Sequence, residues 1–234
     1  AKQGGELVLV YNGEIYNYVE IREDLKKKGH LFKTGTDSEV LLRAYDEWGE
    51  DCLSRFNGMF AFVIYDARKQ RLFGARDRFG VKPMHLRLSD ETFTFASEIK
   101  ALIAFEPSNG FATQPVVDYL FCGHSDHTSQ TFFKGIETLP AGHFFFFDLL
   151  ERNLEIKQWY DLRARTGPES PTVSPVMAAR DLRELLEDSI RIRLRSEVRV
   201  GTCLSGGIDS SSIATIASKL GGGRGFFGIT AESL

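Results

Sequence analysis

Two short stretches carry residue types that can do chemistry. The first is Asn12-Gly13-Glu14, directly after the apolar run Leu7–Tyr11. An asparagine amide beside a glycine N–H can place two donors on one oxygen, which is what a tetrahedral oxyanion requires. Glu14, and Asp37 further along, can receive a positively charged amine. Asn-Gly is also an ordinary turn signal, and these residues alone leave both readings open. The second stretch is Ser205-Gly206-Gly207-Ile208-Asp209-Ser210-Ser211, set between an expected strand and an expected helix. Backbone N–H groups at a helix start lack internal partners, and the helix dipole adds partial positive charge, so an anion is favoured there. Gly206 and Gly207 let backbone approach such an anion closely, and three serines can add hydroxyl donors. No Gly-Lys-Ser/Thr is present, so this is not the loop that grips a γ-phosphate through lysine. The bland alternative is a plain strand-to-helix turn capped by Asp209 or Ser210.

The elements that must position these residues follow from periodicity. Leu7–Tyr11 predicts a buried strand, and Tyr18–Lys28 a helix stopped at Gly29. Thr36-Asp37-Ser38-Glu39 has the pattern of an N-cap followed by a capping-box glutamate, and its helix runs to Trp48 and stops at Gly49. Strands are predicted at Met59–Tyr65 and Arg71–Ala75 around a turn at Asp66–Gln70, and at Thr92–Ala96, with a short helix at Glu98–Ala104. Phe132–Leu139 and His143–Leu149 read as a strand pair around Pro140-Ala141-Gly142, with Phe144–Phe147 in a buried strand. Asp161–Pro175 has linker composition, rich in Pro, Ser, Thr and Arg. Beyond it, Leu182, Leu185, Leu186, Ser189, Ile190 and Leu194 share one face of an amphipathic helix, read as a domain-packing element over a partner-binding one. Glu197–Leu204 is a strand candidate, Ile208–Leu220 a helix closed by Gly221-Gly222-Gly223, and Gly225–Thr230 the beginning of another strand. No internal repeat is present.

Composition narrows the class. At 234 residues, the chain is long enough for one or two domains. Hydrophobic residues at 42% and charged residues at 26% exclude a disordered chain, a collagen-like repeat and a disulfide-stapled miniprotein. A net charge of −3 argues against binding to nucleic acid through bulk charge. No apolar run reaches the ~18–20 residues of a membrane span, and Ala1-Lys2-Gln3 opens no signal peptide. Cys52, Cys122 and Cys203 cannot all pair, and reduced thiols in a cytoplasmic protein are the simplest reading. The opening without Met and the close on a barely begun strand suggest a piece cut at both ends, or a trimmed chain.

The loop Ser205–Ser210 resembles the pyrophosphate-binding loop of ATP pyrophosphatases, which split ATP between its α and β phosphates. Asn12–Tyr18, Thr36–Leu42, Asn57–Phe62, Ala75–Pro83 and Ser97–Leu102 resemble, in the same order, the glutamine-hydrolysing asparagine synthetases. Other class-II amidotransferases share the Asn-Gly, but not the Glu-Ile-Tyr-Asn-Tyr after it nor the loop downstream. The resemblance covers essentially the whole chain.

It implies an α+β, N-terminal-nucleophile-hydrolase-like sandwich over residues 1–160, incomplete at its start. A linker at 161–175 follows, and then, at 176–234, the beginning of an α/β ATP-pyrophosphatase domain with a parallel sheet. The implied reaction is ATP-dependent amidation of aspartate through β-aspartyl-AMP, with ammonia from glutamine and with ATP and Mg²⁺ as cofactors. Asn12 and Gly13 would form the oxyanion hole and, with Glu14 and Asp37, bind glutamine. Leu204 would touch the adenosine, and Ser205, Gly206, Gly207, Ile208, Asp209, Ser210 and Ser211 would cradle pyrophosphate. The partners are then small molecules, without nucleic acid or membrane, and a homodimer is one option.

Residue 1 departs from the family pattern, being Ala where the family has its nucleophilic Cys. Cys52 matches nothing catalytic, and the arginine segment that would hold the glutamine carboxylate, expected before Leu7, is absent. The expectation is therefore that these 234 residues carry parts of two sites and complete neither. Two alternatives stay open: a related adenylating ligase of the β-lactam-synthetase type, or a non-catalytic nucleotide-binding fragment. Among the remaining residues, Cys122, His124 and His127 have spacing that permits a metal but read as an ordinary polar loop, and no metal site is expected. Arg76, Asp77, Arg78 and Lys82 read as an internal ion-pair network, with Glu98 and Lys100 in the same structural role. Cys203 is expected to be packed inside its strand.

Overall fold

The unbroken apolar runs Met59–Tyr65 and Phe144–Phe147 become strands covered on both faces. In the computed structural model, which describes residues 6–165, 174–196, 200–221 and 227–230, the chain forms two compact units, Ala1–Arg165 and Thr166–Leu234. The first unit opens with β1 (Leu7–Ile15), α1 (Tyr18–Lys27), α2 (Asp37–Trp48) and a short α3 (Cys52–Arg55). Strands β2 (Gly58–Asp66), β3 (Arg71–Arg76), β4 (His85–Leu88) and β5 (Phe93–Ala96) follow, then helices α4 (Ile99–Phe105) and α5 (Thr113–Cys122). The unit closes with β6 (Glu137–Thr138), β7 (His143–Asp148), β8 (Leu154–Gln158) and the single turn α6 (Leu162–Arg165). A five-stranded antiparallel sheet runs β1-β2-β3-β7-β8, and a three-stranded sheet runs β5-β4-β6.

The four consecutive phenylalanines of β7 show how the layers are built. Strand alternation sends Phe144 and Phe146 to one face and Phe145 and Phe147 to the other. Phe144 joins Ile21 and Leu25 of α1, Val40, Leu41 and Tyr45 of α2, and Phe60, Phe62 and Phe73 of the sheet. Phe145 and Phe147 join Ala61, Val63, Met84, Leu86 and Leu139, with Phe93 and Phe95 of the small sheet against them. The large sheet thus lies between helices and a second sheet, and a strand covered on both faces is read as an unbroken apolar run.

At the start of α2, Thr36 Oγ1 accepts the Glu39 amide at 3.4 Å. Glu39 does not return to Thr36, however. Its carboxylate takes the Lys33 and Thr34 amides at 2.6–3.0 Å, which ties the preceding loop down and leaves the capping box half made.

Several expectations change. Asn12-Gly13-Glu14 is not a turn after β1 but part of it, because β2 pairs with β1 as far as Ile15↔Gly58. Phe132–Leu139 does not pair with His143–Leu149. Strand β7 lies between β3 and β8, and β6 pairs with β4 in the other sheet. Strands β4 and β8 alternate polar and apolar residues but are only four and five residues long, too short for their period to stand out, and with helix α5 they are not among the predicted elements.

The expected ion-pair network is instead a set of main-chain cages. Arg76 donates to the carbonyls of Lys82, Leu139 and Gly80 at 2.7–2.8 Å. The buried Asp77 carboxylate accepts four amides, from Phe60, Phe79, Val81 and Lys82, at 3.0–3.1 Å. Arg78 donates to the carbonyls of Phe56 and Ser54, with its guanidinium over Trp159. Glu98 and Lys100 form an exposed surface pair.

The second unit begins at Ser174, whose hydroxyl accepts the Met177 amide at 3.3 Å ahead of Pro175, the first residue of α7 (Pro175–Arg193). Ile190 and Ile192 are buried, while Leu182 and Leu185 of the expected apolar face are exposed. Strand β9 (Gly201–Cys203) leads through the glycine-rich loop into α8 (Ile208–Leu220), and β10 (Phe227–Ile229) then pairs parallel to β9. Parallel strands require such a crossover. With one partner strand described, β9 leaves Cys203 exposed rather than packed. The residues 166–173 of the expected linker, 197–199 of the expected strand, and 222–226 lie outside the described residues. No helix among the described residues is long and apolar enough to cross a membrane.

Candidate functional site

At the end of β1, Gly13 faces Phe60 of β2. A Cβ on Gly13 would lie 2.3 Å from the Met59 carbonyl oxygen and 2.7 Å from the Phe60 Cα, so only glycine fits this register. Both main-chain groups of Phe60 are engaged with Asp77: its amide with the carboxylate at 3.1 Å, its carbonyl with the Asp77 amide at 2.8 Å. Gly13 and Phe60 are therefore a non-hydrogen-bonded pair, in which each residue turns its N–H away from the other. Among the described residues β1 is the outer strand of its sheet, so the Gly13 N–H points out from that edge. Ile15, two residues on, shows the same orientation, giving its amide to Asp37 Oδ2 at 3.0 Å.

Asp37 is the first residue of α2, and the same oxygen accepts the Tyr11 phenol at 2.8 Å. Burial, and then the Asp37 charge, push the phenol's pKa up, so Tyr11 stays protonated and donating. Alternation along β1 sends Tyr11 and Ile15 toward the helices and Asn12 and Glu14 to the other face. There the Asn12 Nδ2 donates to Ser97 Oγ at 3.1 Å, across 85 positions of sequence, and Glu14 is exposed. Asn12 and Ser97 border a cavity of about 170 Å³ lined also by Val10, Met84 and Phe95.

The four residues singled out in sequence thus divide. Asn12 and Glu14 share one face, Asp37 meets the opposite face of the strand, and Gly13 presents backbone at the edge between them. Tyr11 and Ser97 are the neighbours sequence reading missed as site residues. The alternation of β1 could have placed Tyr11 inward, but nothing local points Ser97 at Asn12. Cys52 is fully buried among the helices, and burial, with Glu50 and Asp51 nearby, pushes its thiol pKa up, so it is not a nucleophile.

In the second unit, the Leu204 amide donates to Ile229 O at 2.7 Å, and its side chain lies against Gly228. Gly206 then adopts φ +81°, a left-handed conformation that turns the chain into α8. Ser205 and Ser210 face each other, Oγ to Oγ at 3.1 Å, and Ser210 Oγ also donates to Gly207 O at 3.2 Å, so these hydroxyls brace the loop. The amides of Gly206, Gly207, Ile208 and Asp209 meet no acceptor among the described residues. A groove of about 620 Å³ opens beside them, bounded by α7 and α8. Among the described residues no three His, Cys, Asp or Glu side chains are gathered as a metal site. His127 is held by Asp118 at 2.9 Å, and Cys122 ends α5.

Residues 1–160 match the family described as glutamine amidotransferase domain, and the chain belongs to that family. Residues 181–226 match a second family, asparagine synthase. The chain is 36% identical over 219 residues to asparagine synthetase [glutamine-hydrolyzing] 3 of Bacillus subtilis, covering 92% of this chain and 34% of that protein. To the putative asparagine synthetase [glutamine-hydrolyzing] 2 of Methanocaldococcus jannaschii it is 36% identical over 217 residues, covering 90% and 40%. The chain thus spans about a third of the length of the curated relatives it matches. Among solved structures, glutamine phosphoribosylpyrophosphate amidotransferase of B. subtilis aligns at 16% identity and TM-score 0.48, covering 98% of this chain and 46% of that one. The resemblance read from the sequence is borne out by these family matches. The fold expectation holds likewise, as a mixed α/β unit built on an antiparallel sheet followed by a short parallel strand pair.

Proposed function

We propose that this chain contributes to a glutamine-hydrolysing asparagine synthetase, as its amidotransferase domain and the beginning of its ATP-using domain, with the boundary across residues 161–175. The observation that carries the reading is the tandem order of the two family matches, 1–160 and then 181–226, over the two compact units.

The chemistry at the first site follows from β1. The Gly13 N–H at the sheet edge and the Asn12 amide donate to the carbonyl oxygen of the glutamine side chain as negative charge develops there. Asp37, which holds the amide of Ile15, lies two residues along the strand, about 7 Å at ~3.4 Å per residue. That spacing suits a glutamine whose side-chain amide lies at Gly13 and whose α-ammonium is held by Asp37, with Glu14, on the other face of β1, reaching the amine only around the strand edge. Oδ2 of Asp37 is taken by Tyr11 and Ile15, which leaves Oδ1 for the substrate amine.

At the second site, the amides of Gly206 to Asp209, unpaired among the described residues, fit the phosphates of ATP, and Leu204 would border the nucleoside. Asp209 is the one carboxylate in the loop, so a Mg²⁺ would be held chiefly by the phosphates themselves. ATP supplies the activation that opens the aspartate carboxylate to attack by ammonia. Three free cysteines suit a reducing, cytoplasmic setting.

The test is a reaction with the protein expressed from its full open reading frame, given glutamine, aspartate and MgATP. Asparagine, glutamate, AMP and pyrophosphate are expected in equal amounts. Turnover of ATP to ADP and phosphate, or no dependence of AMP release on aspartate, would overturn the reading.

A further inference from the structure

We propose that Ser97 is a positioning residue for the oxyanion donor Asn12, an inference that rests on the role given to Asn12 above. Asn12 has a side-chain amide with two N–H groups on one nitrogen. One is committed to Ser97 Oγ at 3.1 Å, which fixes the plane of the amide and leaves the other free to meet a developing charge. Without that bond the amide can rotate about its terminal torsion, which is broad and only weakly restricted.

The support for Ser97 comes from a different layer of the fold. Ser97 directly follows β5, whose residues Phe93–Ala96 pair with β4 in the three-stranded sheet, while Asn12 belongs to the edge strand of the five-stranded sheet. Phe95, on β5, lines the same cavity as Asn12 and Ser97, and Phe93 stacks on Phe147 at 4.3 Å. The serine is therefore carried by a packed element rather than a free loop, as a group that must hold another to within a fraction of an ångström has to be. The hydroxyl is bonded to Asn12, and its effect passes through that side chain.

The experiment compares Ser97→Ala, Ser97→Thr and Asn12→Ala, each in the protein from the full open reading frame. Hydrolysis of glutamine is followed by glutamate release, and synthesis is driven separately by glutamine and by ammonium. A missing oxyanion donor lowers kcat by about 10²–10³-fold, so Asn12→Ala should fall in that range. For a donor present but misaligned we expect a smaller loss, roughly tenfold in kcat, with KM for glutamine changed by less than about twofold. Ser97→Thr, which keeps the hydroxyl, should restore most of the rate, and the double variant Ser97→Ala/Asn12→Ala should be no slower than Asn12→Ala alone. The ratio of glutamine-driven to ammonium-driven synthesis should fall with Ser97→Ala.

Unchanged kcat in Ser97→Ala, beside a collapsed Asn12→Ala, overturns the positioning role alone. An equal loss of glutamine-driven and ammonium-driven synthesis in Ser97→Ala overturns it too, as general damage to the fold. Wild-type glutamine hydrolysis in Asn12→Ala removes the oxyanion reading and this inference with it.

Discussion

The Tyr11 phenol donates to Asp37 Oδ2 at 2.8 Å, joining the middle of the edge strand to the first residue of α2. The same oxygen holds the Ile15 amide, so the carboxylate is clamped at two points along β1. Tyr11→Phe removes one of them without changing the packed ring. A hydrogen bond to a charged acceptor is worth about 1.5–3 kcal/mol, and a stability loss in the lower part of that range is expected by urea unfolding. Because Asp37 is proposed to receive the substrate amine, KM for glutamine should rise several-fold while kcat changes little. Unaltered KM would detach Tyr11 from the glutamine site.

The Asp77 carboxylate is the hub between β2 and the segment Phe79–Lys82. Oδ1 accepts the Phe79 and Val81 amides, and Oδ2 those of Phe60 and Lys82. Asp77→Asn keeps the shape but replaces one acceptor by an NH₂ group facing two donors. At about 1–3 kcal/mol for each orphaned N–H, the loss should be about 2–6 kcal/mol in urea unfolding, a large share of a domain's stability. A loss under about 1 kcal/mol would show that the loop finds other acceptors.

Acidification should weaken the first unit in two stages. Burial, and then the Arg76 charge, hold the His85 imidazole below its ordinary pKa. The unfolded chain therefore takes that proton first, and this contribution, intact above about pH 6.5, is lost as the pH falls through that range. Burial alone would raise the Asp66 carboxyl, but the hydrogen bond and charge of Arg68 and the Tyr45 hydroxyl more than offset it and leave its pKa lowered. Its contribution is intact above about pH 4 and fades below. Unfolding midpoints followed from pH 8 down to pH 3 should show both stages, and His85→Gln should remove the upper one alone.

At Gly206, an added Cβ would meet nothing within 4 Å, yet φ is +81°. Gly206→Ala is therefore sterically free and conformationally strained, by about 1–2 kcal/mol. The chain relieves that strain by turning the loop amides, so affinity for MgATP should fall by about tenfold by titration calorimetry while the unfolding midpoint barely moves. Equal affinity would argue that these amides do not hold the phosphates.

What the sequence determined by itself is which way residues face and where chemistry can sit. The unbroken apolar run Phe144–Phe147 calls for a buried strand, and the spacing in Tyr18–Lys28 sets which helix residues turn inward; both signals are local. The small residues of Ser205–Ser211 likewise announce a strand-to-helix turn with free amides. Tertiary structure decided which strands are neighbours and what the site residues touch. Periodicity assigns a strand's two faces but not its partner, so β6 joined β4 rather than β7. Asn-Gly is a turn signal until β2 pairs along it and only glycine fits the contact with Met59. Ser97 reaches Asn12 because two sheets pack face to face, and the energy that sets that contact comes from Phe93, Phe145 and Phe147 rather than from either residue.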